Sequence, residues 1–344
     1  MKQAATVVRP AQTPTVLSES GEVWITLQAT SRIDILHGQD GRGPMETINL
    51  PAGTGPHITT FSPQGAFAYI SGMGNGDLDI VQADSRQLVD VLHLGQVGTH
   101  QAKSSPDGSV LLVAQIGSKT LFKVAANLAT QRWDVVGSLS FASLGKAPIC
   151  SVYRDDGKHA YVSLLPSGLA IVDVGSMSVV RTFDTDGFIA CGMIKSKNGK
   201  TVTIAAGGST GGHIYRLDTD TETLADAGRL PAPDWHSFNM SPNEKLGFGT
   251  VPRGDELVLI DLRGEQVSVA DILVLDPTPG PANDQPDAIG VKGNTAFVSL
   301  RASGKIAVID VNQRTVSYLD LAPASVFNPA NCSGCAVHGV AVRP

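Results

Sequence analysis

The sequence is poor in charge, aromatics and cysteine, and each shortage excludes something. Charged residues make up 17% of the 344 positions and aromatics 5%. No basic run appears, and the net charge is −6. Nucleic-acid binding rests on clustered Lys and Arg that neutralise phosphates, so that partner is excluded. No stretch approaches the ~18 uninterrupted apolar residues of a membrane span. No segment shows helical periodicity. The four cysteines are Cys150, Cys191, Cys332 and Cys335. The last pair forms Cys-Ser-Gly-Cys, but Ala336 follows where a haem-attachment motif needs His. That pair either staples a loop or delivers thiolates to a site. The glycine-rich stretch Gly207–Gly212 precedes no helix, which argues against a phosphate-binding loop. No Gly-x-Ser-x-Gly elbow stands in a strand–turn–helix context, so a serine hydrolase is not expected.

Turns, by contrast, are abundant: 37 Gly and 20 Pro. They punctuate a repeat. Its clearest copy is Pro56-His57-Ile58-Thr59-Thr60-Phe61-Ser62-Pro63-Gln64-Gly65, followed by Ala66-Phe67-Ala68-Tyr69-Ile70-Ser71. A second copy begins at His100 and reaches Ser105-Pro106-Asp107-Gly108. A third runs from Trp235-His236 to Ser241-Pro242-Asn243. Seven apolar runs mark the strand after the turn: 22–27, 66–71, 110–114, 159–164, 201–205, 245–249 and 295–300. Most lead to a third run ending on Asp and then to a fourth. Four short strands per unit and seven units predict a seven-bladed β-propeller of antiparallel four-stranded blades, one domain over 1–344. A ring needs closure. His338-Gly339-Val340-Ala341-Val342 reads as the inner strand of blade one, with Thr13–Ser18 as the competing choice.

These units resemble the YVTN family of β-propellers, whose repeat has the form Pro-x-Gly-Ile-Ala-Val-Ser-Pro-Asp-Gly followed by Ala-Tyr-Val. The matching stretches are Ser105-Pro106-Asp107-Gly108, Asp156-Gly157 with Ala160-Tyr161-Val162-Ser163, and Ala341-Val342 after His338-Gly339. The resemblance covers nearly the whole chain. It implies a propeller and leaves function open, because the family and its relatives include periplasmic binding proteins, lactonase-like enzymes and subunits of metal-dependent oxidoreductases. A periplasmic or secreted location is the expectation. Met1-Lys2-Gln3-Ala4-Ala5-Thr6 lacks an apolar run, consistent with a removed leader or a cytoplasmic start.

In all three clear copies His stands five residues before the Ser of the turn. In a propeller the first strand of each blade lines the central channel, so equivalent positions form a ring. Alignment on the turn glycine puts His57, His100 and His236 at one level, with Ile149 in blade four and Cys191 in blade five. The shortened turn of blade seven places Asp287 in the slot, and the C-terminal strand contributes His338. The chain has only eight His, so chance would put well under one in seven slots. Imidazole, carboxylate and thiolate are all metal ligands. The expected set is therefore His57, His100, His236, His338, Cys191 and Asp287, with Asp287 and Cys191 as ligands or as partners of the ligands. Affinity order at a nitrogen-rich site favours copper, with zinc or iron as alternatives. A water-filled polar funnel without metal is the plain alternative.

Three functions compete: a metal-dependent oxidoreductase or lyase acting on a small molecule, a scaffold propeller for a protein partner, and a lactonase-like hydrolase. The last calls for carboxylate and amide ligands at the hub, against the His-rich slot. His37, His93, His159 and His213 fall on other strands and read as surface or packing residues. Lys103, Lys146, Arg154, Lys195, Arg253 and Arg301 recur near inner strands, where a subset could draw in an anionic substrate. Trp235 reads as a pocket wall or as a cover on a blade edge.

Overall fold

The structure is a computed structural model that describes residues 6–8 (backbone only), 21–208, 210–230, 235–275, 284–321 and 337–344. It is a seven-bladed β-propeller. Six blades are four-stranded antiparallel sheets in chain order. The second strands fall where the repeat put them, for example Phe67–Gly72, Val110–Gln115, His159–Leu165 and Thr295–Leu300. The described residues hold three short 3₁₀ turns and no α-helix. Among the described residues no helix is long and apolar enough to cross a membrane.

The second and third strands are apolar almost without alternation because both faces of every blade are covered. Phe67 and Tyr69 pack against blade three, whereas Ala68 and Ile70 pack against blade one. A sheet buried on both sides reads as a continuous hydrophobic run. Seven apolar clusters result, each joining two neighbouring blades, from Trp24 and Ile70 between blades one and two to Val23 and Phe297 between blades seven and one. The outer strands keep the polar-out pattern, as in Ser268–Val274, where exposed and half-buried residues alternate.

Ring closure is made by the C-terminus. Val340–Val342 pairs antiparallel with Val23–Leu27, matching Val23 to Val342 and Ile25 to Val340. The competing stretch Thr13–Ser18 lies outside the described residues. The N-terminal strand Thr6–Val8 is at the other side of the blade, paired with Met45–Asn49, so blade one has five strands. Repeat reading expects four there and cannot anticipate an added outer edge strand. A polar clasp holds the closure. Arg86 is 4% exposed and bonds Glu22 and, at 2.7 Å, Glu46. Arg343 donates to the Gly65 carbonyl at 2.8 Å and also meets Glu22 and Asp84. Burial would raise the Glu22 carboxyl, but the Arg86 guanidinium outweighs it and holds it below its ordinary value.

Candidate metal centre

Each inner strand carries an irregularity at the slot. The pairing register slips between Pro56 and Thr59, Pro148 and Ser151, Ile189 and Gly192, and Pro286 and Ile289; in blade three it slips opposite Ala114 and Gln115, at His100. In blade six both His236 and Ser237 bond Thr250, and in blade one both His338 and Gly339 bond Thr26. Two residues facing one is the pattern of a β-bulge, which bends the strand and re-aims its side chain. Seven bulges at one level turn seven separate sequence positions into one ring.

The belt behind the bulges is made of hydroxyls. Thr26 accepts from the Gly339 N–H at 2.6 Å and donates to the His57 carbonyl at 2.9 Å. Thr250 donates to the Asp287 carbonyl, and Ser299 to the His338 carbonyl, both at 2.6 Å. Each hydroxyl thus fixes the slot backbone of the following blade. Sequence reasoning missed these residues. Their signal was present: a Ser or Thr interrupts otherwise apolar second strands at Thr26, Thr250 and Ser299. Gly339 matters for a related reason. A Cβ there would lie 2.3 Å from the His57 carbonyl oxygen, so only glycine allows the inner strands of blades one and two this close.

The side chains of five consecutive blades form an arc around the axis: His236, Asp287, His338, His57 and His100. His236 Nδ1 is 2.5 Å from Asp287 Oδ1, and His338 Nε2 is 2.9 Å from Asp287 Oδ2. These contacts lie off the line of an ideal hydrogen bond, so the carboxylate keeps acceptor capacity. Ligand atoms of these three residues fall within 4.8 Å of one another. The rings of His57 and His338 are 3.8 Å apart at their centres, and those of His57 and His100 4.6 Å. His100 Nδ1 faces the Ile149 carbonyl at 2.9 Å, which requires a proton on that nitrogen and leaves Nε2 with its lone pair. Cys150 Sγ is 3.8 Å from the same Nδ1. Arg301 Nη1 stands 3.8 Å from Asp287 Oδ1. The site opens at blade six: His236 is 36% exposed, whereas the Asp287 side chain is fully buried.

Blade five departs from the expected alignment: between the paired Ile189 and Gly192 the residue in the slot of His57 is Ala190, and Cys191 stands one place further on. The Cys191 side chain lies outside the described residues, as do Cys332 and Cys335. The other histidines are off the axis, as their strands implied. His37 is buried 3.6 Å from Glu46, His93 is exposed beside Asp77, His159 meets Glu222, and His213 meets Asp226. Trp235 is a packing residue, filling the space between blades five and six against Gly207 and Gly249. Among the basic residues, Arg301 reaches the arc. Lys146 bonds the Ser167 carbonyl, and Arg154 lies near Asp156 and Glu222.

No family profile and no curated protein matches this sequence. Solved structures that share the fold include three of other proteins. Hydrazine synthase of Kuenenia stuttgartiensis superposes with a TM-score of 0.64 at 19% identity, over 76% of this chain and 78% of that one. A putative 6-phosphogluconolactonase of Bacteroides fragilis gives 0.73 at 9% identity over 96% and 99%. Dihydro-heme d1 dehydrogenase NirN, in complex with DHE, gives 0.63 at 15% identity over 97% and 76%. At such identities the likeness establishes the propeller and nothing about chemistry.

Charge at the arc is uneven. Burial would push the Asp287 carboxyl up, yet the imidazoles of His236 and His338 outweigh it and hold it well below its ordinary value. Burial would lower His236, and Asp287 reverses that, so His236 is raised. His57 is pushed well below the usual imidazole value by burial and then by His338 and His100. His100 is pushed down to about 3 by burial and by His338 and His236. His57 and His100 are therefore neutral at pH 7, with lone pairs free to bind.

A stability prediction follows for chelator-treated protein. The unfolded chain protonates His57 and His100 near pH 6.5, but the folded chain does not, so stability falls as pH drops below about 6.5. Both act in this direction, His100 with a folded value pushed down to about 3. Asp287 acts in the same direction only below about pH 4. His236 acts oppositely: its raised value adds stability at low pH that is lost as pH rises through its folded pKa. Two histidines outweigh one, so the melting temperature should drop between pH 7 and 5. A flat profile, or one unchanged by His57→Gln, would contradict the buried neutral imidazoles.

Proposed function

We propose that the arc binds one transition-metal ion through His57, His100, His236 and His338, and that the protein is a metal-dependent oxidoreductase or lyase acting on a small molecule at the channel mouth. One observation carries the reading. Three of the four imidazoles turn one nitrogen to an oxygen acceptor, and the buried Nδ1 atoms of His57 and His338 have no hydrogen-bond partner among the described residues. Metal-binding histidines characteristically hand one nitrogen to a carboxylate or carbonyl and keep the other for the ion. Buried polar atoms without partners are costly, and an ion would satisfy them.

Four imidazoles favour copper by affinity order, with zinc and iron as the competing ions. When bound, such an ion supplies Lewis acidity or electron transfer. The chain's own contribution is to hold the imidazoles on rigid bulged strands, to fix two of them with Asp287, and to leave the blade-six side open to solvent. The Ser105-Pro106-Asp107-Gly108 turn and the Ala160-Tyr161-Val162 strand also support membership of the YVTN group, and with it a periplasmic or secreted setting.

The test is metal analysis of the purified protein after reconstitution with copper, zinc and ferrous iron in turn. About one ion per chain is expected, and it should be lost in the His57→Ala/His236→Ala double variant. Wild-type protein that takes up no ion, or a double variant that retains it, would leave a polar funnel in place of a metal centre.

A further inference from the structure

The channel has a second mouth. The histidines stand at the start of the inner strands, and the same strands end at the turn into the second strand. At that opposite end, between blades two and five, lies a cavity of about 360 Å³. Lys103 lines it, three residues beyond His100 and so about 10 Å further along the strand at ~3.3 Å per residue. Lys195 faces it from blade five. Their situations differ. Lys195 is bound to Asp155, which is largely exposed at the rim. No described carboxylate pairs with Lys103; its electrostatic neighbours are Lys195 and Cys150. Burial, and then the like charge of Lys195, hold its ammonium below the ordinary lysine value. Ser104 and Ser105 add two small polar residues to the lining, and Phe61, Val152, Met193 and Ile194 supply its apolar wall. Tyr153 also lines the cavity, and its buried hydroxyl has no hydrogen-bond partner among the described residues.

A half-buried ammonium that no described carboxylate pairs, set in a largely apolar cup, is unfavourable on its own. It is the arrangement of a site whose counter-ion arrives with a ligand. Volumes of this order, mostly apolar with a few placed polar groups, are typical of small-molecule sites. We propose that this mouth binds a small organic anion, its carboxylate or phosphate on Lys103 and Lys195 and its apolar body against Phe61, Val152, Met193 and Ile194. The site is separate from the histidine arc and does not depend on a metal there.

The probes are phenyl phosphate, benzoate, inorganic phosphate and neutral benzyl alcohol, titrated calorimetrically into the full chain. At least one of the two aromatic anions should bind, and the better of them identifies the head group. Lys103→Met should weaken that binding at least about tenfold, the loss expected for one charge-assisted contact, while Lys103→Arg retains most of it. If Lys103→Met fails to fold by circular dichroism, Lys195→Met carries the same test. Benzyl alcohol binding as tightly as the anions would overturn the proposal. So would inorganic phosphate matching phenyl phosphate, or binding that survives loss of the lysine. The His57→Ala/His236→Ala variant must keep full affinity; loss there would place the probe at the arc. Because that variant is the one that tests the metal centre, failure of one proposal is distinguishable from failure of the other.

Discussion

A chain cut before Val337 should lose its cooperative fold, with no sharp thermal transition and aggregation on gel filtration. The last eight residues carry the inner strand of blade one, the proposed ligand His338 and Arg343 of the clasp. Without them Val23–Leu27 becomes an open edge, with unpaired backbone groups facing the channel. The Val23–Phe297 cluster also loses Val337, Val340 and Val342. In a ring each blade is held by two neighbours, so opening one contact exposes two apolar faces at once. A milder version tests the clasp alone. Arg86→Ala leaves Glu22 and Glu46 together with their buried partner gone, which costs roughly 3–5 kcal/mol. It should be read as a lower urea midpoint with the denaturant slope unchanged. A truncated chain that melts as sharply as the full one would show that the C-terminal strand is dispensable.

Asp287→Ala should have the largest effect on the proposed metal centre without touching a proposed imidazole ligand. The carboxylate stands between His236 and His338 and is fully buried, so its removal frees both rings to rotate and takes away the charge that raises His236. Loss of such an orienting partner typically costs 10–100-fold in metal affinity, and about that much is expected here by competition with a chelator of known strength. Asp287→Asn keeps the shape and removes the charge, so it should fall between wild type and Asp287→Ala. It should also lower the pH at which His236 titrates, read by nuclear magnetic resonance. Unchanged affinity in both variants would remove Asp287 from the site.

The blades were legible because burial on both faces imposes unbroken apolar strands, and because tight turns, Ser-Pro-x-Gly in the two clearest copies, recur at a nearly constant distance from them. The strand Thr6–Val8 was not legible. It pairs with Met45–Asn49 at an outer edge, and nothing in a repeat announces an extra partner there. The slot residues His57, His100 and His236 were readable from register alone. Asp287 required a shortened turn to be allowed for, and the bulge at Asp287-Ala288 confirms its alignment. The hydroxyl belt escaped, since Thr26, Thr250 and Ser299 look like ordinary strand residues until the neighbouring blade's carbonyl is seen beside them.

The amino-acid order by itself determined the period, the number of blades and, outside blade five, which residues share a level on the inner strands, because each of these is a local property of strand and turn. Only the closed ring decided which of those residues touch. His236, Asp287, His338, His57 and His100 come from blades six, seven, one, two and three, and they are neighbours solely because blade seven meets blade one. That no described carboxylate pairs with Lys103 is likewise a fact of three dimensions: whether a buried charge has a partner depends on what the adjoining blades bring to it.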